Sequence, residues 1–220
     1  MKPATETKPA RAARFGEILD RLAEVYPGAR IALDHTSPLE LLVAVMLSAQ
    51  CTDKRVNLVT PGLFARFRSA AEYAAVAPEA LHPLIQSCGL YRNKARAIVA
   101  MAQALEADHG GQVPAGRAAL NALPGVGAKT AGVVSGHLPG GEASFPVDTH
   151  VGRLARRLGL TRADSPDQVE RALQRLVPPA RWGAGHQLLI FHGRNRCFAR
   201  SPDCVGCEVS ALCPKRGVKR

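Results

Sequence analysis

Four cysteines near the end of the chain have the spacing of a metal or cluster site. Cys197, Cys204, Cys207 and Cys213 are separated by six, two and five intervening residues. Four thiolates in one short irregular segment can hold an iron–sulfur cluster. Zinc is the alternative, because zinc sites with four cysteines also use a two-residue gap. Disulfides are disfavoured, because residues 1–14 contain no apolar signal segment and intracellular thiols stay reduced.

A lysine follows a glycine turn between two predicted helices. Residues 123–131 read Leu-Pro-Gly-Val-Gly-Ala-Lys-Thr-Ala, after a short apolar helix predicted over 118–122. The glycines allow close approach of another molecule, and the N–H groups that begin the second helix favour a phosphate. A cation there opposes the helix dipole, so the dipole and any burial favour the neutral, nucleophilic amine of Lys129. An ordinary tight turn with a solvated or phosphate-pairing lysine is the alternative.

A carboxylate and a histidine begin another predicted helix in the segment Val147-Asp148-Thr149-His150. Asp148 is placed to cap that helix, and capping alone would account for it. The cap is compatible with a catalytic role, because it would fix the carboxylate in place. His150 could contact a phosphate, although a surface or packed position is the commoner role for such a histidine.

The elements that must position these residues are helical almost throughout. Apolar residues recur at helical spacing from Phe15 to Val25, and Pro27-Gly28 ends that run. Ser37 to Glu40 reads as a capping box before a helix through Ala49 that is apolar nearly all round. No alternating strand pattern stands out, so the sequence predicts an all-α protein. Further helix signals are a capping box over Ser69–Glu72, a helix over Asn93–His109 ended by Gly110-Gly111, and a helix opened by Ser165 and closed by Pro178-Pro179.

The charge of the chain indicates a polyanionic partner. The formal net charge is +11, which favours nucleic acid before a membrane surface, with a merely solvated basic surface as the alternative. No apolar run approaches the roughly 18 residues of a membrane span. We therefore expect a soluble, intracellular protein. Residues 1–14 read as a disordered basic arm, and Cys51 and Cys88, which lie outside the four-cysteine segment, as packed thiols.

These segments together resemble the endonuclease III family of helix-hairpin-helix DNA glycosylases. The resemblance runs from about Phe15 to Cys213, in the family's order. It is carried by Leu47-Ser48-Ala49-Gln50, Gly89-Leu90-Tyr91, the Leu-Pro-Gly-Val-Gly-x-Lys hairpin, Val147-Asp148-Thr149-His150 and the spacing of the four cysteines. Adenine glycosylases of the family place a glutamate where Ala44 stands and lack the hairpin lysine. Ala44 and Lys129 therefore argue against that branch.

The resemblance implies two helical domains flanking a DNA-binding cleft. A six-helix domain with the helix-hairpin-helix motif would cover residues 31–141. Residues 15–30 and 142–220 would form a discontinuous domain that holds a [4Fe–4S] cluster on the four cysteines. The segment Pro139-Gly140-Gly141 is the best loop candidate between the two halves.

The resemblance also implies an activity and its residues. The chain would be a monomeric, cytoplasmic, nucleoid-associated enzyme that removes oxidised pyrimidines from damaged duplex DNA and nicks the abasic site. Lys129 matches the nucleophile that forms a Schiff base, and Asp148 matches the essential carboxylate. Gln50 would fill the gap left by the flipped nucleotide and Leu90 would wedge near the opposite base, although core packing is the plainer interpretation of a leucine. The remaining expected DNA contacts are Gly125, Val126, Gly127, Thr130 and His150.

Overall fold

The computed structural model describes residues 6–218, and residues 1–5 and 219–220 lie outside the described part. Within it the secondary structure is helical, with no strand, which confirms the all-α prediction. None of these helices is both long enough and apolar enough to cross a membrane. The α-helices are α1 (Lys8–Val25), α2 (Pro38–Ser48), α3 (Asp53–Arg66), α4 (Ala70–Ala74), α5 (His82–Ile85), α6 (Tyr91–His109), α7 (Arg117–Ala122), α8 (Ala128–Ser135), α9 (Thr149–Arg157), α10 (Pro166–Gln174) and α11 (Trp182–Asn195), and short 3₁₀ turns cover Pro78–Leu81, Pro179–Arg181 and Ser210–Leu212.

The helices form two compact units. The continuous unit is Ala32–Glu142, and the discontinuous unit comprises the described residues of Met1–Ile31 and Ala143–Arg220. In the discontinuous unit, α1 and α9 pack against α11, and α10 packs against α9. Its core is apolar and includes Phe15 and Phe145, whose ring centroids lie 6.2 Å apart.

Helix α2 lies at the centre of the continuous unit. Every residue from Leu41 to Leu47 is buried, as the apolar sequence predicts, and the helix packs against α3, α6 and α8. Ser37 caps it by accepting a hydrogen bond from the Glu40 amide at 3.2 Å. The reciprocal bond of the predicted capping box is displaced by one residue, because the Glu40 carboxylate accepts from the amide and hydroxyl of Thr36 instead. The same displacement occurs at Ser69 and Glu72, where the carboxylate accepts from the Arg68 amide.

The prediction of a disordered arm through Arg14 is wrong for residues 6–14. Helix α1 begins at Lys8, with the Thr7 hydroxyl accepting from the Ala10 amide at 3.3 Å and Pro9 in the first turn. Glu6 binds the side chains of Arg11 at 3.3 Å and Arg14 at 2.7 Å, and the bond to Arg14 holds the pKa of Glu6 below its usual value. Arg14 also donates to two backbone carbonyls of the same unit at 2.9 Å. The part of the predicted arm before Glu6 lies outside the described residues.

Candidate functional site

The glycine turn between α7 and α8 is fixed against α2 and α6. Gly125 has a φ of 75°, a left-handed conformation that favours glycine. A Cβ atom at this position would lie 2.6 Å from the Ala97 Cβ and 3.2 Å from the Met46 Cε. Both the backbone angle and the available space therefore require glycine at position 125. The result is a hairpin whose height above α6 is set by close packing.

Lys129 is the second residue of α8 and is exposed. Gly127 is the N-cap of the helix and carries no side chain, and a Cβ atom there would meet nothing within 4 Å. The start of α8 is thus open to a ligand, with Thr130 half-buried beside it. The chain itself does not bury Lys129, so the burial that the sequence analysis invoked would have to come from a bound ligand.

Val126 differs from its predicted role as a DNA contact. Its side chain is only 5% exposed, and its amide donates to the Leu123 carbonyl at 3.1 Å within the turn. Neither group faces outward, because the side chain is packed in the interior and the amide is hydrogen-bonded within the turn. Val126 therefore anchors the hairpin, and the open positions are those of Gly125, Gly127 and Thr130.

Gln50 and Leu90 line one open cavity of about 210 Å³ in the continuous unit. Both residues have left-handed backbone, with φ values of 53° and 60°. Leu90 is 58% exposed, which excludes core packing as its role. The cavity also reaches Gly125 of the hairpin. Three of the predicted DNA contacts, Gln50, Leu90 and Gly125, therefore line the same cavity. Its remaining lining residues are Met46, Ala49, Asn93, Lys94 and Ala97.

Asp148 caps α9, as the sequence predicts. Its Oδ1 atom accepts a hydrogen bond of 2.8 Å from the Val151 amide, and the side chain is half-buried. A carboxylate held by a backbone bond has a fixed position and benefits from the helix dipole. Asp148 belongs to the discontinuous unit, and Lys129 to the continuous unit.

His150 is held by a guanidinium one turn later on α9. The Arg153 Nη2 atom lies 3.0 Å from His150 Nδ1 and 2.9 Å from the Gly193 carbonyl oxygen. Because a guanidinium only donates, Nδ1 accepts, and the neutral ring carries its proton on Nε2. Burial lowers the pKa of His150, while Asp148 opposes the shift and Arg153 adds to it. A Cβ on Gly193 would lie 2.9 Å from Nδ1, so glycine is needed for this contact between α9 and α11.

All four cysteines of the C-terminal segment line a single small cavity of about 20 Å³. Each is half-buried, and among residues 6–218 no three His, Cys, Asp or Glu side chains are grouped closely enough to hold one metal ion. Donors face the sulfurs, with Arg157 Nη1 3.3 Å from Cys197 Sγ and the Lys215 amide 3.3 Å from Cys213 Sγ. His192 Nε2 lies 3.5 Å from Cys207 Sγ. Cationic and N–H donors of this kind stabilise thiolates.

An ion-pair network holds the cysteine loop. Arg196 binds Asp203 at 2.6 Å and Glu208 at 2.9 Å. Asp203 in turn accepts from the Gly206 amide at 3.0 Å, and this bond, followed by the one to Arg196, lowers its pKa. Through its bonds to Asp203 and Glu208, Arg196 braces the loop that carries the second and third cysteines.

Two positioning residues escaped the sequence analysis. Arg157 donates to the carbonyls of Cys197, Phe198 and Ala199 as well as to a sulfur, which orders the start of the cysteine loop. Lys94 is a lysine that is only 7% exposed. The double arginine at the end of α9 was the available signal for the first residue. No sequence pattern distinguished Lys94 from the surface lysines.

Comparison with known proteins gives one consistent family. The model of the HhH-GPD superfamily of base excision DNA repair proteins matches residues 43–179. Endonuclease III of Synechocystis is 46% identical over 201 residues, which cover 91% of this chain and 92% of that protein. A solved non-covalent endonuclease III–DNA complex superposes with a TM-score of 0.87 at 44% identity, covering 93% of this chain and 95% of the other. A trapped endonuclease III–DNA covalent intermediate, in an estranged-adenine complex, also superposes with a TM-score of 0.87 at 44% identity, covering 93% of this chain and 96% of the other.

Proposed function

The chain belongs to the HhH-GPD superfamily of base excision DNA repair proteins as a homologue of endonuclease III, and we infer that it is a bifunctional DNA glycosylase and AP lyase. Its substrate is damaged duplex DNA, and oxidised pyrimidines are the class of lesion that we propose. The observation that carries the assignment of the nucleophile is an exposed lysine at the open start of α8, directly after the glycine hairpin.

The reaction starts with extrusion of the damaged nucleotide. A base inside a duplex is out of reach of a side chain, and unstacking it costs a few kcal/mol. Gln50 and Leu90 would enter the vacated stack and offset part of that cost. Their exposure at the rim of one cavity that reaches Gly125 supports this role. The hairpin, with Gly125, Gly127 and Thr130, would hold the adjacent phosphates.

The chemical step uses the amine of Lys129. Its nitrogen attacks C1′ of the deoxyribose as the N-glycosidic bond breaks, and the base leaves with a proton. Opening of the sugar gives a protonated Schiff base. Loss of a C2′ proton then breaks the C3′–O bond, which nicks the strand on the 3′ side, and water later releases the amine.

Asp148 would stabilise the cationic sugar and carry protons between these steps. Its bond to the Val151 amide supports the role, because a fixed carboxylate pays no reorganisation cost when charge develops. His150, oriented by Arg153, presents Nε2–H as a donor suited to a phosphate.

We propose that Cys197, Cys204, Cys207 and Cys213 hold a [4Fe–4S] cluster. Four half-buried thiols line one cavity, and donors face two of their sulfurs, which supports a metal or cluster site; the relationship to endonuclease III favours an iron–sulfur cluster over a single zinc ion. When bound, the cluster would fix the C-terminal loop and its basic residues for DNA docking. We place the enzyme in the cytoplasm with the nucleoid and expect it to act as a monomer, because one chain carries every residue that the reaction needs.

A cleavage assay with borohydride tests the function. Duplexes containing thymine glycol, other oxidised pyrimidines, an abasic site or no lesion are incubated with the enzyme, with and without borohydride. We expect strand cleavage and a covalent adduct on the lesion and abasic duplexes, and neither on the intact duplex. Salt-sensitive binding without cleavage or adduct would instead identify a non-catalytic DNA clamp.

A further inference from the structure

Lys94 is buried in the continuous unit and hydrogen-bonded at both of its nitrogens. Its side chain is 7% exposed, and Nζ donates to the Leu47 carbonyl at 2.8 Å. Its backbone amide donates to the Leu90 carbonyl at 3.1 Å. Burial of an amine is unfavourable without partners, and it lowers the pKa of Lys94. Because Lys94 is buried, it does not contribute to solubility as exposed lysines do, and another role must explain its position.

The Leu47 carbonyl belongs to the last turn of α2, where helical carbonyls lose their intrahelical partners. The Cys51 amide donates to the Ser48 carbonyl instead, because the chain leaves the helix at Ala49. Gln50 follows immediately in left-handed backbone. The Lys94 amine thus donates to the Leu47 carbonyl, at the end of α2 where the turn that carries Gln50 begins.

Leu90 is the N-cap of α6 and also has left-handed backbone, with no side-chain cap for the helix. Lys94 lies one turn later, so its amide forms the first hydrogen bond of α6 and its amine reaches the end of α2. One residue therefore links the two strained turns that carry Gln50 and Leu90. Left-handed backbone is unfavourable for residues with a Cβ, so surrounding contacts must hold it.

Two thiols, Cys51 and Cys88, also lie next to the same two turns, but they link them less strongly than Lys94 does. Cys51 follows Gln50 and Cys88 precedes Gly89, and the nearby Cys51 thiol adds to the burial that raises the pKa of Cys88 to about 11. Cys88 therefore stays a thiol at neutral pH, and a thiol is only a weak hydrogen-bond donor. The Lys94 amine is the stronger donor, whether charged or neutral.

We propose that Lys94 is a positioning residue that sets the spacing of Gln50 and Leu90 for entry into the DNA stack. The proposal rests on the proposed function, in which these two side chains replace the extruded nucleotide. Lys94 is not a second nucleophile, because its amine is buried and faces a carbonyl oxygen. It acts only through the two residues that it positions.

The test compares Lys94→Met with Arg96→Met, which removes the same charge from the exposed side of α6. We expect Lys94→Met to lower single-turnover excision from a lesion duplex at least tenfold. Adduct formation with an abasic site in single-stranded DNA should change less than twofold, because no opposite stack has to be entered. Arg96→Met should affect the two substrates equally. Wild-type rates for Lys94→Met on the duplex, or equal losses on both substrates, would overturn the proposal.

A background without the two side chains separates positioning from folding. In Gln50→Ala/Leu90→Ala enzyme, adding Lys94→Met should cause no further loss of duplex excision, whereas a general structural role would add one. If Lys94→Met does not fold, Lys94→Gln, whose side chain is one atom shorter, serves the same comparison. Failure of the wild-type enzyme to excise from the lesion duplex and to form an adduct with an abasic duplex would refute the proposed function, whereas a wild-type enzyme that does both, matched by Lys94→Met, would refute only the role of Lys94.

Discussion

Gln50 and Leu90 face the same cavity from two turns that share an unusual backbone geometry. Their φ values of 53° and 60° place both in the left-handed region, at a cost of roughly 1–2 kcal/mol for each. Neither residue type adopts this region often. The coincidence of strain, exposure and a shared cavity indicates that the fold holds these two side chains for contact with a ligand, and DNA is the ligand that the family supplies.

Relief of the backbone strain at Leu90 should stabilise the folded protein but impair its excision activity. Leu90→Gly removes roughly 1–2 kcal/mol of backbone strain and costs about 0.5–1 kcal/mol in chain entropy, so the free energy of unfolding should rise by up to about 1.5 kcal/mol. Duplex excision should fall, because the wedge is lost. Urea unfolding and single-turnover assays measure the two effects. Leu58→Gly, at a leucine that is 63% exposed on helical backbone, is the control and should lose about 1 kcal/mol. A destabilised Leu90→Gly protein would contradict the strain.

The two glycines of the hairpin should respond differently to the same change. Gly125→Ala places a Cβ 2.6 Å from that of Ala97 at a φ of 75°, and should lower the free energy of unfolding by about 2–3 kcal/mol. Gly127→Ala meets nothing within 4 Å and should leave stability within about 0.5 kcal/mol while weakening DNA binding. Urea unfolding and DNA titration distinguish the pair. Equal stability losses would mean that the hairpin is not seated on α6.

Asp148 both caps α9 and supplies the proposed catalytic carboxylate, and two substitutions separate these roles. Asparagine also caps helices, so Asp148→Asn should lower the free energy of unfolding by less than about 0.5 kcal/mol, whereas Asp148→Ala should lower it by about 1 kcal/mol. Both should reduce base excision more than DNA affinity. An Asp148→Asn enzyme with wild-type turnover would show that the carboxylate serves only as a cap.

The cysteine loop should carry iron. The purified protein should be yellow-brown and contain four iron atoms per chain, and Cys204→Ser should lose colour and iron while its neighbour Ser201→Ala keeps both. Metal analysis and visible absorption measure this without reference to activity. A colourless protein with one zinc per chain would reject the cluster, because zinc has a full d shell.

Much of the fold was predictable because its signals are local. The apolar run of α2, the serine caps at Ser37 and Ser69, and the glycine that ends α6 at Gly110 are each written within a few residues of sequence. The hairpin and the cap at Asp148 were predictable for the same reason. The error over residues 6–14 arose because a basic composition concealed a threonine cap, a proline in the first turn and an acid that pairs with Arg14.

The remaining features depend on contacts between distant residues. The left-handed backbone of Gln50 and Leu90 is invisible to a sequence pattern, because neither residue type favours it. The burial of Lys94 depends on a carbonyl 47 positions away. Val126 was assigned to DNA as part of a motif, although its amide and side chain are both used within the hairpin fold. The motif identified the hairpin segment, and the structure divides its residues into those that anchor the turn and those that are exposed.

The chemical identity of the trapped amine tests the role of Lys129 most directly. Enzyme reduced with borohydride on an abasic duplex is digested, and the peptide that carries the sugar remnant is sequenced by mass spectrometry. We predict a single modified residue, Lys129, and loss of the adduct in Lys129→Ala with DNA affinity retained. Modification of any other amine, or an adduct that persists in Lys129→Ala, would contradict this role.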